Sequence, residues 1–187
     1  MVSKALLSFD AVLYLDTSIV LRPSIQGDSL KQIFNSVFEE FATTGFRTFH
    51  KAFHTNFPVT HKNMYTFFNV TTDNMKATKQ IQSGTYVVAN SPNGRNVIDS
   101  LARCAIEPDC MAPPGAQVKC NMSLISSNND IGCHRFDQSA MNMRLIELYG
   151  INDTNYFLPS DMVSIQRFEM TQNKAAYRRQ CNVFLRS

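Results

Sequence analysis

The chain reads as a single α/β domain, and three observations lead there. Residues 9–21 form an apolar run rich in β-branched and aromatic side chains, the composition of a buried strand, ending at Arg22-Pro23. From Asp28-Ser29 onward Leu30, Ile33, Phe34, Val37, Phe38 and Phe41 recur at helical spacing until Gly45, and a helix following a buried strand implies an α/β layer. The length of 187 residues is enough for one sizeable core and too short for two ordinary ones, so residues 1–187 are taken as one domain.

The remaining elements follow in chain order. Residues 46–59 are aromatic without regular period, 60–68 predict a short helix, and 72–82 predict a second, more polar helix. Thr85 to Ala89 predicts a strand, Ser91-Pro92-Asn93-Gly94 a turn, and 97–106 a helix. Residues 107–133, rich in Pro, Cys and Asn, form a long irregular segment of the kind that is functional or cross-linked. Ala140, Met141, Leu145 and Leu148 give the next helical period, with a further strand predicted over 162–168.

Composition narrows the function classes. Charged residues make up 18% of the chain, below the roughly 25% of an average soluble protein, while Phe is abundant and Trp absent. The net charge of +3 is scattered apart from Lys174, Arg178, Arg179 and Arg186, too weak a basic stripe for nucleic-acid binding. The run 11–21 is interrupted by Asp16 and too short to span a bilayer, so no targeting or membrane segment is read from the chain. Sequons at Asn69, Asn121 and Asn152 suit a lumenal or secreted glycoprotein.

Two segments carry the chemistry. Gly132-Cys133-His134-Arg135-Phe136-Asp137-Gln138 places polar and ionisable groups where a turn meets a helix, with Asp137 as the expected N-cap and a helix N-terminus suited to an anion such as a pyrophosphate. The alternative is a capped surface helix. The other segment is Asp16-Thr17-Ser18, whose carboxylate interrupts an apolar strand and must be paired, hydrogen-bonded or metal-bound. A strand-end turn held by Thr17 and Ser18 accounts for it equally well.

Cys104, Cys110, Cys120 and Cys133 cluster around the irregular segment, with Cys181 apart. Disulfides are the first reading, with bridges 104–110 and 120–133 each closing a short loop, although spacing does not fix connectivity. A zinc site drawn from these four and His134 is the alternative, without the usual short knuckle spacing. His50 and His54 are four apart, but Lys51 stands where a zinc protease carries its Glu.

Residues 9–19, 54–65, 104–116 and 132–142, taken together, resemble a nematode-expanded domain-of-unknown-function family regarded as glycosyltransferase-like. The likeness covers about residues 5–150, leaving 151–187 as an extension, and the Cys-His-Arg-Phe-Asp-Gln-Ser-Ala block is its most specific part. It implies a partial GT-A-like (Rossmann-like) α/β fold, a Golgi, ER-lumenal or secreted location, a nucleotide-sugar donor and a glycan or glycoprotein acceptor. On that reading Asp137, Gln138 and His134 are catalytic, Asp16, Ser18 and Arg135 bind the donor, and Thr60 and His61 line an acceptor groove. Mn²⁺ or Mg²⁺ would rest on Asp16, weakly, because Ser18 stands where the family type of Asp-x-Asp carries a second carboxylate. Only about fifteen residues precede Asp16, fewer than a βαβ unit needs, so the nucleoside-binding half and any membrane anchor are expected to be missing. The chain is then a piece of a longer transferase or, alternatively, a non-catalytic binding module derived from one.

Overall fold

A computed structural model describes residues 1–121 and 123–165. The predicted first strand is two strands in different sheets: β1 (Ala11–Leu15) and β2 (Ile19–Leu21) are separated by the Asp16-Thr17-Ser18 turn, in which Ile19 N donates to Asp16 O at 2.9 Å. Neither half is fully buried. The central strand is β6 (Thr85–Ala89), all five residues of which are buried, and its predicted bounds hold. It pairs antiparallel with β1 on one edge, Ala11 opposite Ala89 and Leu15 opposite Thr85, and with β3 (Phe46–Thr48) on the other.

The expected GT-A-like, Rossmann-like sheet is corrected by this topology. The described strands form three small open sheets, β1-β6-β3, β2-β7 (β7, Val163–Ile165) and β4-β5 (β4, Lys51–Thr55; β5, Lys79–Ile81), and every paired strand runs antiparallel. A Rossmann-like half needs parallel neighbours joined by a crossover helix. Here both neighbours of β6 run against it, and β5, joined to β6 by the short Gln82–Gly84 turn, pairs in another sheet.

What survives is the layering. Alternate residues of β6 face opposite ways: Tyr86 and Val88 join Phe46, Val97, Met141 and Leu145 beneath two long helices, while Val87 and Ala89 join Ile33, Val37 and Phe49 on the other face. The long helices are α4 (Pro92–Ile106) and α5 (Phe136–Tyr149); the short ones are α1 (Val2–Ala5), α2 (Leu30–Ser36) and α3 (Thr72–Ala77). The helix expected from Asp28-Ser29 to Gly45 does start there, Ser29 capping it through Gln32 N, but α2 stops at Ser36 and turns carry the chain on to Gly45. The predicted turn at 91–94 is a helix start instead: Ser91 accepts from Gly94 N at 3.1 Å and Pro92, which needs no N–H there, opens the helix. α3 has a capping box of Thr71 and Asn74 and stops at Ala77, so the polar segment read as one helix is half helix and half strand. Likewise 46–59 resolves into β3, β4 and a 3₁₀ turn at Phe57–Val59.

Helix α4 lies unusually close to the sheet because of two glycines. Gly45, at φ +59°, accepts at its carbonyl oxygen from Ala89 N at 2.8 Å, and a Cβ on Gly94 would fall 2.4 Å from Ala89 O and 2.8 Å from Gly45 O.

The irregular segment is cross-linked as anticipated. Cys104–Cys110 ties the end of α4 to the following turn and Cys120–Cys133 closes the loop before α5, with Cα separations of 5.2 and 5.0 Å. Both sulfur pairs are consumed, which leaves none of these four as a thiolate for zinc. Cys181, the basic cluster of 174–186 and the end of the strand predicted over 162–168 lie outside the described residues. We expect protein from an oxidising host, denatured without reductant, to titrate at most one of its five thiols; five reactive thiols would refute both bridges.

Candidate functional site

The turn Gln82–Gly84 separates two hollows, and Asp16, Arg135, Asp137 and Gln138 gather around it. The first is a polar cleft of about 360 Å³ walled by Lys51, Phe53 and His54 of β4, Gln82 and Gly84 of the turn, and Arg135 and Gln138 at the start of α5. β4 supplies its side chains because the segment is extended, which also removes the helical face that His50 and His54 would have shared.

The entry into α5 sets the rest. Arg135 occupies the N-cap position without capping through its side chain, Phe136 adopts a left-handed φ of +39°, and Asp137 is thereby placed inside the first turn rather than at the predicted cap. Arg135 N donates to Val59 O at 3.0 Å, so the backbone is anchored while the guanidinium lines the cleft. Asp137, relieved of capping, accepts from Ser83 Oγ at 2.9 Å. Gln138 Nε2 donates to Gln80 Oε1 at 2.7 Å, and Gln80, wholly buried, keeps an Nε2 group with no partner among the described residues.

Two cations line the cleft, Arg135 and Lys51, and the second is ion-paired. Lys51 pairs with Asp153 at 2.6 Å and lies 3.9 Å from the Phe157 ring centre, which holds its ammonium at the cleft wall. His54 Nδ1 donates to Thr55 O at 2.9 Å, which leaves Nε2 as the acceptor nitrogen. Burial lowers its pKa, the Thr55 carbonyl opposes that, and the Arg135 charge lowers it further, so the imidazole is neutral at pH 7. Phe53 beside it is exposed and meets the His54 ring edge to face.

Asp16 arrives at the other side of the same turn. Its N–H donates to Gly84 O at 2.8 Å, its Oδ1 accepts from Tyr14 OH at 3.2 Å, and its Oδ2 would lie 3.2 Å from a Cβ on Gly84, so the missing side chain admits the carboxylate. Asp16 and Asp137 thus contact adjacent residues of one turn, and Ser18 lies in the turn that follows Asp16. Among the described residues no group of three His, Cys, Asp or Glu side chains could hold a metal ion.

His134 is placed elsewhere. It is wholly buried, its Nδ1 accepts from His61 N at 3.2 Å and its Nε2 donates to Met111 O at 3.1 Å. Both ring nitrogens are therefore occupied by backbone, and burial lowers its pKa, so it staples the cysteine loop to α5 as a neutral ring. Thr60 lines a separate hollow of about 480 Å³ with Phe57, Lys62 and Tyr65, whose phenol burial pushes up to about 12; His61 instead caps the 3₁₀ turn Lys62–Thr66. Sequence reasoning missed Lys51, Gln82, Ser83 and Gln80 as site residues, because they sit in two short strands and a turn that carry no motif.

Comparison with family models, with curated proteins and with solved structures finds no match to this chain.

Proposed function

We propose that the chain is a non-catalytic binding module of the secretory pathway whose cleft takes an acidic sugar. The observation that carries this is the cleft itself, where Arg135 offers charge, the Lys51 ammonium offers N–H groups beyond its pairing with Asp153, Gln82 and Gln138 offer amides, His54 offers a neutral ring nitrogen, and exposed Phe53 offers a face on which a sugar ring can stack. Two disulfides support an oxidising lumenal or extracellular location, and the glycosyltransferase-like resemblance supports a carbohydrate ligand. Sugar transfer from a nucleotide sugar is the second reading, favoured by the meeting of Asp16 and Asp137 at the Ser83–Gly84 turn. In that reading Asp137 would accept the acceptor hydroxyl's proton, Gln138 would position the sugar and Asp16 would hold Mn²⁺ or Mg²⁺ or the donor directly.

Calorimetry separates the two. Glucuronate or glucose 6-phosphate should bind about tenfold tighter than glucose, and Arg135→Ala should remove that preference. UDP with Mn²⁺ should bind at millimolar strength at best, because base stacking and base hydrogen bonds normally supply much of a nucleotide's affinity. Equal binding of acidic and neutral sugars would end the binding-module reading. Micromolar UDP affinity abolished by Asp16→Ala would establish the second.

A further inference from the structure

The second hollow at the Gln82–Gly84 turn has the opposite chemistry from the cleft. It holds about 270 Å³, is walled mainly by Val2, Tyr86, Ile98, Leu101, Met111 and Met141, and has Asp137 and Ser83 among its few polar neighbours. Tyr14 and Tyr86 stack in it with ring centres 5.0 Å apart. Ser83 lines this hollow whereas its neighbours Gln82 and Gly84 line the other, so one short turn divides an apolar site from a polar one.

We propose that this hollow is a distinct binding site for a small organic ammonium ion, its hydrocarbon body against the Tyr14, Tyr86 and Met141 side chains and its charge on the Asp137 carboxylate. The size suits a molecule smaller than a typical drug, since pockets for drug-sized ligands begin near roughly 300 Å³. Apolar walls favour a hydrocarbon body in proportion to the surface it removes from water. The sign of the charge is set by Asp137, whose Oδ2 is held by Ser83 and whose Oδ1 takes no hydrogen bond from a described residue. Asp16 adds a second negative charge at the far end of Tyr14, where the phenol donates to it. Burial first, then these two carboxylates, raise the pKa of Tyr14, and burial, Tyr14 and the same carboxylates raise that of Tyr86, so both rings stay neutral and present electron-rich faces. The polar contact on the α1 wall, Ser3 to Asp99 at 2.7 Å, is already satisfied and ties that wall to α4. An anion is disfavoured here by Asp137, and a neutral guest would leave that carboxylate without a counter-charge.

The inference does not rest on the acidic-sugar reading, and its probes are different molecules. Titration of the full isotope-labelled chain with phenethylammonium, 2-phenylethanol and 3-phenylpropanoate, followed by amide shifts, compares one body with three charges. The ammonium should bind about tenfold tighter than the alcohol, the carboxylate should not bind, and Asp137→Asn, which keeps the Ser83 contact, should bring ammonium and alcohol to equal affinity. Ala102→Phe, on an exposed position of α4 that lines the hollow, should remove binding of both while leaving the melting temperature unchanged within error. Equal binding of all three probes, an ammonium preference that survives Asp137→Asn, or shifts confined to residues away from Tyr14, Tyr86 and Met141 would overturn the proposal.

Discussion

Gly94→Ala is expected to destabilise the protein by about 3 kcal/mol, a large share of the 5–15 kcal/mol that separates most folded domains from their unfolded chains. The added methyl would meet two carbonyl oxygens, Ala89 O at 2.4 Å and Gly45 O at 2.8 Å, and neither belongs to a side chain that can swing aside. Both oxygens belong to the packing of α4 on the sheet, because Gly45 O also accepts from Ala89 N. Alanine's better helix propensity returns at most about 1 kcal/mol, and less near a helix start. Thermal unfolding should show a midpoint lower by roughly 6–12 °C for a domain of this size. A midpoint within 2 °C of the parent would show that helix and sheet are not in the close contact described.

Asn142→Leu should be comparably costly for a different reason. Asn142 is 2% exposed on α5 and behaves as a piece of β-ladder: its Oδ1 accepts from Ile81 N at 2.8 Å, its Nδ2 donates to Ile81 O at 2.8 Å, and the same Nδ2 reaches Gln138 O at 2.8 Å. Leucine keeps much of the volume but strands the N–H and C=O of Ile81 in the core, each worth about 1–3 kcal/mol when left unsatisfied. The net loss should be about 3 kcal/mol after the apolar gain, with β5 amides exchanging faster than those of β6 in hydrogen-exchange measurements. Asn142→Asp should destabilise too, since it sets an oxygen against Ile81 O. If leucine were as stable as asparagine, the side-chain ladder would be of no consequence to the fold.

These two residues also mark how far the sequence could be read. Local signals were legible: the apolar run of β6, the Ser29 cap, the period of α4 and α5, and cysteines close enough to bridge. Strand pairing was not, because β6 finds β1 about seventy residues upstream and β3 about forty upstream, and no local pattern records direction or partner. The break at Asp16-Thr17-Ser18 was visible as a turn tendency, yet the apolar residues on both sides read as one strand. Of the site, Arg135 and Gln138 stood out within a polar block, while Lys51, His54 and Gln82 reach the cleft only through the pairing of β4 with β5. Asp137 was displaced from the cap by the left-handed Phe136, a conformation that side-chain type does not announce.

The stack that crosses the central sheet gives the molecule an optical signature. Tyr14, Tyr86 and Phe46 lie in sequence with ring centres 5.0 Å apart at each step, one from each of the three strands of that sheet, and the chain has no tryptophan to outshine them. Ultraviolet light absorbed by this protein is emitted by tyrosine, and two of its six tyrosines share a rigid, chiral setting that exists only while β1 and β6 are side by side. Near-ultraviolet dichroism therefore reads the assembly of the central sheet directly, from chromophores already in the chain.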